Sequence, residues 1–584
     1  MNAATVHRGP DGTKTFFDDG VSFGFNRLAI IDLSEKSMQP MTDTTERYVM
    51  VFNGEIYNYK ELKKELSEYP FHSEGDGEVI LAGFLRWGMA VFSRLNGMFA
   101  IAIWDKQEKK LVLARDSVGI KPLYYHFDGT RLAFSSEAKG ILEAGVSPIL
   151  NQEALAHYLR LMYVPEPLTM FKGIMKVPKG HTLTFSVGRI AIEPFRGRFD
   201  VPPASGSYSE ATALVQDTVS RAVERQLVSD RPVGVYLSGG IDSSVVLAAA
   251  SKVHPHINTY SVGFELEDAE ESEKFNADAS LAKKTAEFFG ATHHEFFLSS
   301  SKVLELFTET VRHLDEPIGN ATALSQLFLA GEVKGTATVA LTGDGGDELF
   351  GGYERYRLAL IAEMLGPFIP EGVSRRFNAL RNLHHSGTDR YAQLMFQKEK
   401  TLSRILSTNI SADTQKFFTP FFTEGRNVAR GLMQADEEYW LVDEALMRSD
   451  KASMARGVET RVPLLDLEVR SLAHSLPRSY LVTPFATKKI LKDAFRKELP
   501  AFVINQPKRG WFSPGAKWLR HDNFVAFAGR VFSDSYAGEV SSLFNLKEVR
   551  ALWEEHRSKQ GYHYTTLWAL LTFLEWAKEY RVKL

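Results

Sequence analysis

Leu237-Ser238-Gly239-Gly240-Ile241-Asp242-Ser243-Ser244 sets two glycines, three hydroxyls and a carboxylate between an apolar run, Val233 to Leu237, and a helical one, Ser243 to Ala250. A strand that turns through glycine into a helix aims backbone N–H groups at one point, and the helix N-terminus adds positive potential there. Glycine permits the close backbone approach that a nest around phosphate oxygens requires, and Asp242 can hold Mg2+ against the same phosphates. The string is not the GxxxxGK[ST] loop. For Ser-Gly-Gly alone, a glycine-rich turn with Ser243 as N-cap is the minority alternative, with about one chance in three. The whole string in its strand, loop and helix setting favours an anion site.

A second loop, Thr342-Gly343-Asp344-Gly345-Gly346-Asp347-Glu348, follows the apolar run Thr338 to Leu341. Acidic groups at the end of a parallel strand lie where open α/β sheets bind ligands, and the glycines let the loop pack close to a nucleotide. Further on, Lys508 and Arg509 stand in the Pro/Gly-bounded loop Gln506-Pro507-Lys508-Arg509-Gly510-Trp511-Phe512. A cation there can neutralise charge developing on phosphate oxygens. Asp450, Lys451, Glu459, Arg461 and Asp466 alternate with apolar residues, which suits an internal ion-pair scaffold as well as a site.

Nearer the start come His7-Arg8-Gly9-Pro10-Asp11-Gly12, Arg27 to Asp32, Phe52-Asn53-Gly54-Glu55-Ile56-Tyr57-Asn58 and Gly75-Asp76-Gly77-Glu78. An arginine and an aspartate can clamp the carboxylate and ammonium of a free amino acid, while an Asn side chain and a glycine N–H can form an oxyanion hole. Each string alone reads as a loop or turn.

These residues need a scaffold. Short β-rich runs at Val21 to Ile31, Tyr48 to Phe52, Phe99 to Trp104, Lys110 to Ala114, Leu123 to His126 and Arg131 to Ser135 alternate with helical stretches at Tyr59 to Glu65 and Gly77 to Gly88, predicting an α+β layered domain. The segment Phe195 to Tyr208, FRGRFDVPPASGSY, reads as a linker. Beyond it Val215, Val219, Ala222, Val223 and Leu227 recur at helical spacing, and apolar runs at Val233 to Leu237, Thr259 to Val262, Glu295 to Leu298 and Thr338 to Leu341 alternate with helices. That alternation predicts a parallel α/β sheet, and the chain after Glu354 reads as mostly helical.

The 584 residues carry 69 Lys plus Arg against 72 Asp plus Glu, a formal charge of −3 that gives no footing for nucleic acid. No apolar run approaches 20 residues and no signal peptide opens the chain, so neither a membrane span nor export is expected and a cytoplasmic protein is. Cysteine is absent, which excludes disulfides, thiolate metal sites and a cysteine nucleophile in these residues.

Taken together with TYSVGF (259–264), LDEP (314–317), DKASMARGVETRVPLLD (450–466) and KKILKDAF (488–495), the second half resembles the synthetase domain of glutamine-dependent asparagine synthetases, part of the ATP-pyrophosphatase superfamily. The first half resembles the class II amidotransferase domain, an N-terminal-nucleophile fold. The resemblance implies an αββα glutaminase-like domain over 1–195 and an α/β ATP-pyrophosphatase domain with a helical C-terminal part over 208–584. It implies that Leu237, Val262, Thr342 and Gly343 contact the ATP base and ribose, that Ser238, Gly239, Gly240, Asp242, Ser243 and Ser244 hold pyrophosphate, and that Asp242 and Asp347 take Mg2+. Asp344 stands where many members have Glu, and Lys508 resembles the lysine that stabilises the intermediate; both are expected to be catalytic. Arg27, Asn53, Gly54, Glu55 and Asp76 resemble the glutamine-binding set, and Leu314 to Thr322 is expected to line the acceptor site.

By this likeness the expected activity is adenylation of the aspartate β-carboxylate by Mg·ATP, then displacement of AMP by ammonia. The family draws ammonia from glutamine through an N-terminal cysteine. That cysteine and the strand that carries it are absent here, as a truncation would explain, so free ammonia is the expected donor. Related cyclases or amidotransferases acting on uronates or peptides, and a glutamine-binding regulator, are the alternatives. A homodimer is expected from the family.

Overall fold

The computed structural model describes residues 1–195, 206–370, 385, 387–423, 427–506 and 513–584. Its first part holds β1 (Gly12–Asp18), β2 (Val21–Arg27), β3 (Met41–Thr42), β4 (Tyr48–Ile56), β5 (Gly97–Asp105), β6 (Lys110–Arg115), β7 (Tyr124–Phe127), β8 (Leu132–Ser135), β9 (Ile174–Lys176), β10 (His181–Ser186) and β11 (Arg189–Pro194). A six-stranded antiparallel sheet runs in the order β11-β10-β6-β5-β4-β3. The two-residue repeat of its strands sorts their side chains onto two faces. Met50, Phe52, Ile101, Ile103 and Val112 pack against the helix Glu78–Trp87 through Val79, Ile80 and Leu81. Val49, Val51, Ala100, Ala102, Trp104 and Leu113 point the other way, onto Phe23 of β2 and Tyr125 of β7.

Those last strands belong to a two-stranded sheet β1-β2 and a three-stranded sheet β8-β7-β9. Behind them, Tyr124 packs with Ala138, Ile141 and Leu155 of the helices Ala138–Leu142 and Gln152–Leu161. The layers are helix, sheet, sheet, helix, the expected αββα arrangement. The expected strands and helices all form. The β-run at Val21 ends at Arg27, where the chain turns into the loop that Arg27 itself ties down. β1 is an addition: its residues are half-exposed or exposed throughout, so it carries no apolar alternation to read.

In the second part, the helix Tyr208–Gln226 opens on a capping box in which Ser207 and Glu210 satisfy each other's backbone N–H. It buries Val215, Val219, Ala222 and Val223, the predicted stripe. It leads to β12 (Val233–Tyr236), β13 (Asn258–Phe264), β14 (Thr292–Leu298), β15 (Val339–Leu341) and β16 (Glu459–Arg461), a sheet in the order β14-β13-β12-β15-β16 whose pairs are all parallel. β16 is a three-residue strand inside the region read as helical. The C-terminal helix Tyr564–Glu579 is buried from Thr566 to Ala577 and forms the heart of a second core with Trp518, Phe524 and Phe307. The two parts share one apolar core, in which Ile30, Tyr57, Met98 and Ile120 meet Val219, Leu465 and Val469. No helix among the described residues is long and apolar enough to cross a membrane.

Candidate functional site

The connections from β12 to β13 and β14 run to one side of the sheet, and β15 and β16 lie on the other. Such a reversal leaves a crevice between the C-terminal ends of β12 and β15, where open parallel sheets bind ligands. Leu237 to Ser244 follow β12 and Thr342 to Glu348 follow β15, so both chemically loaded loops open into that crevice.

The two loops touch. A Cβ on Gly343 would lie 2.6 Å from the Ser243 amide nitrogen and 2.7 Å from Asp242 Cβ, and one on Gly346 would collide with the Asp242 carboxylate. Within the first loop, the Ser238 N–H donates to Ser243 Oγ at 3.2 Å, and the helix Ile241–Val253 begins immediately after Gly240. Ser243 and Ser244 are buried, as are Leu237, Val262 and Thr342. Gln506 Nε2 donates to the Gly239 carbonyl at 2.7 Å and so ties a distant segment to this turn. Lys508, two positions on, lies outside the described residues.

Asp242 and Asp347 converge, as expected of two carboxylates that share a cation. The cation between them is Lys488: its Nζ is 2.6 Å from Asp347 Oδ1 and pairs with Asp242 Oδ2. Burial works against the Lys488 charge, but the two carboxylates outweigh it and raise its pKa above the ordinary lysine value. Among the described residues no cluster of three or more His, Asp or Glu forms a metal centre. Two carboxylates meeting on one positive charge, beneath glycines that leave no room for a Cβ, are still an oxygen donor set that fits Mg2+ once phosphate oxygens supply the remaining ligands.

Asp344 accepts from Thr342 Oγ1 at 2.8 Å, and burial raises its pKa. Arg448 offsets part of that rise, while Glu444 and Asp242 add to it. Glu348 is pushed up to about 8 by burial and by Asp347, and Tyr353 donates to its Oε1 at 2.7 Å. Arg448 pairs with Glu444 at 2.7 Å and donates to Gln326 Oε1 at 2.7 Å; Glu444 also accepts from Asn320 Nδ2 at 2.8 Å. Of the expected acceptor segment, Asn320 therefore faces this group. Asp315 and Glu316 are wholly buried and spent elsewhere: Asp315 pairs with Lys139 and Lys451, and Glu316 accepts from the Met170 N–H.

A second cleft, of about 1090 Å³, lies in the first part and is lined by Arg27, Asn53, Gly54, Glu55 and Asp76, all five of the expected amino-acid set. Arg27 donates to the carbonyls of Asp32 at 2.6 Å and Ser34 at 2.8 Å, which fixes the loop after β2. Gly54 has φ +147, and a Cβ there would strike the Met98 carbonyl, so only glycine serves. Asp76 Oδ2 accepts from the Ile56 N–H at 2.7 Å, and burial raises its pKa to about 6. Glu55 is raised well above the usual carboxylate value, first by burial and then by Asp76, with Arg461 opposing. Asn53 Nδ2 reaches Ser136 Oγ at 3.4 Å.

Between the two sites runs a buried series of alternating charges. Glu55 meets Arg461 at 3.0 Å, Arg461 meets Glu459 at 3.0 Å, and Lys121 bridges Glu459 at 3.3 Å and Asp450 at 3.2 Å. Arg8 then joins Asp450 at 2.8 Å to Glu137 at 3.2 Å, and Lys139 joins Glu137 to Asp315. Glu55, Lys121, Arg8 and Glu137 come from the first part; Arg461, Glu459, Asp450 and Asp315 come from the second. Asp450, Glu459 and Arg461, open between scaffold and site in the sequence, are members of this scaffold. Lys488, Arg448 and Glu444 escape sequence reasoning because no local spacing links them to the loops they meet.

Residues 214–578 match the family described as asparagine synthase, and residues 1–196 the family described as glutamine amidotransferase domain. A putative glutamine-hydrolysing asparagine synthetase of Mycobacterium bovis is 34% identical, over 98% of this chain and 91% of its own. Glutamine-hydrolysing asparagine synthetase 1 of Bacillus subtilis is 32% identical, over 99% and 92%. An amidase of Gibberella zeae is 27% identical, over 88% and 84%. With matches of that extent on both halves, and the two loops meeting at the reversal of the parallel sheet, the chain belongs to the asparagine synthase family.

Proposed function

We propose that this chain forms asparagine from aspartate, ATP and free ammonia, as two units over 1–195 and 208–584. A carboxylate is a poor electrophile until it carries a good leaving group. An oxygen of the aspartate β-carboxylate attacks the α-phosphorus of ATP and pyrophosphate leaves; ammonia then attacks the acyl carbon, AMP leaves and one proton is lost.

Leu237, Val262, Thr342 and Gly343 hold the base and ribose, while the turn from Ser238 to Ser244 receives pyrophosphate at the N-terminus of the helix Ile241–Val253. Mg2+, bound with ATP by Asp242 and Asp347, would neutralise phosphate charge. Lys488 offsets the charge of the same two carboxylates. Asp344, its pKa raised by burial, suits the group that takes the proton from the attacking ammonia. Arg448 and Asn320 offer donors for the acceptor's carboxylates, and Lys508 supplies a cation for the intermediate. The meeting of the two loops at the sheet's reversal, with Asp344 beside Arg448, carries this reading.

Arg27, Asn53, Gly54, Glu55 and Asp76 bind an amino acid in the first cleft. Hydrolysis of glutamine there needs a nucleophile, and none of the 584 residues is cysteine. The reading takes the chain as cytoplasmic and, by likeness to family members, as a homodimer. The test is pyrophosphate release from ATP with aspartate, using ammonium or glutamine as donor and mass detection of asparagine. Aspartate-dependent release with ammonium, yielding asparagine, supports the reading; no aspartate dependence overturns it in favour of another carboxylate acceptor.

A further inference from the structure

We propose that Arg461 couples the amino-acid cleft to the nucleotide loop, so that an amino acid in the first tightens ATP in the second. The proposal rests on the ligand assignments above and adds a residue that touches neither ligand.

Arg461 is fully buried, and its two ends serve different sites. Its guanidinium is held by Glu459 through Nε at 3.0 Å and by the carbonyls of Gln226 at 2.8 Å and Val228 at 2.7 Å through Nη1. The remaining nitrogen, Nη2, forms the ion pair with Glu55 at 3.0 Å, near the end of strand β4, which lines the amino-acid cleft. Its backbone carbonyl accepts the Thr342 N–H at 2.8 Å. Thr342 opens the acidic loop and donates in turn to Asp344. A single residue thus separates the wall of one site from the first hydrogen bond of the other.

Glu55 Oε2 is buried and finds no hydrogen-bond partner among the described residues. Around it the carboxylates of Glu55, Asp76 and Glu459 outnumber the cations Arg461 and Lys121, and Lys121 is shared with Asp450. An α-ammonium entering the cleft supplies the missing charge and the missing donor together. Glu55 is then fixed, Arg461 is held from both ends, and the acceptor for the Thr342 N–H is held with it. Because coupling between sites is reciprocal, nucleotide must tighten the amino acid by the same factor.

The experiment is calorimetric titration of the whole chain with L-glutamate, which has no amide to hydrolyse, and with a nonhydrolysable Mg·ATP analogue, each alone and each with the other saturating. In the unaltered protein each ligand is expected to tighten the other about tenfold, with equal factors both ways. Arg461→Lys keeps the charge but loses the three-way fork, and is expected to bind both ligands with coupling below about twofold. Glu459→Gln, which retains the guanidinium while weakening its anchor, is expected to lose part of the coupling and keeps the test open should Arg461→Lys fail to fold. Both ligands binding without mutual effect, or full coupling surviving either substitution, overturns the role of Arg461 alone. No binding of glutamate overturns the reading of the cleft, and the proposal with it.

Discussion

Lys488 Nζ lies 2.6 Å from Asp347 Oδ1 and at the same time pairs with Asp242, from which it is separated by 246 positions. The buried ammonium stands where the carboxylates would otherwise repel each other. Lys488→Met is therefore expected to destabilise the protein by about 3–5 kcal/mol, the scale of breaking a buried pair from one side. Mg2+ without nucleotide should raise the melting temperature of the variant more than that of the parent, because the exposed carboxylate pair gains a cation. Equal Mg2+ responses in the two proteins would remove the carboxylates from metal binding.

Asp242 and Asp344 occupy touching loops and are proposed to hold different roles, which substitution separates. Asp242→Asn is expected to lower aspartate-dependent pyrophosphate release by about two orders of magnitude, the scale of one lost electrostatic contact in a transition state. Asp344→Asn should leave pyrophosphate release largely intact and slow asparagine formation by a similar factor, since its proposed role follows adenylation. Parallel measurement of pyrophosphate and asparagine checks both, and equal loss of the two products in Asp344→Asn would refute its role as proton acceptor.

Donor choice follows from composition. With aspartate and Mg·ATP, ammonium is expected to support asparagine formation by the 584-residue polypeptide and glutamine is not, since no cysteine is encoded in it. Because ammonia and not ammonium attacks, the rate at fixed total ammonium should climb with pH between about 7 and 8.5. Release of glutamate from glutamine by this polypeptide would show that another group acts as nucleophile.

What could be read from sequence divides along the reach of each interaction. The turn from Ser238 to Ser244 is legible because its hydroxyls and the helix it caps are all local, and Gly54 is legible beside Asn53 for the same reason. Lys488 stands in a charged string with nothing nearby to mark it, since both its carboxylates arrive through tertiary packing. Arg461 is ambiguous for a related reason: Glu459 lies two positions away and suggests a scaffold, while Glu55 comes from the other half of the chain. β1 is hidden because both its faces stay wet, and β16 because three residues are too few to show a period. The Asp450 to Asp466 string owes its density of charge to the interface it forms, where each buried ion must find a partner.

The pair Glu55 and Asp76 is expected to make the proposed amino-acid cleft pH-sensitive, and the sign follows from burial. Asp76 is raised to about 6 and Glu55 well above the usual carboxylate value, so the empty folded protein holds protons that the unfolded chain releases. For Asp76 the resulting stability is present below its unfolded pKa and is lost as pH rises through about 6, where it ionises among its neighbouring carboxylates; Glu55, raised by burial and by Asp76, acts in the same direction. In the proposed function an α-ammonium binds the ionised carboxylates and relieves their repulsion. L-Glutamate should accordingly raise the melting temperature more at about pH 7 than at about pH 5, and its affinity should fall about tenfold per unit below 6 for each proton displaced. Asp76→Asn removes the carboxylate and is expected to flatten the profile while weakening glutamate at pH 7. A binding curve independent of pH in the parent protein would take Asp76 out of contact with the ammonium.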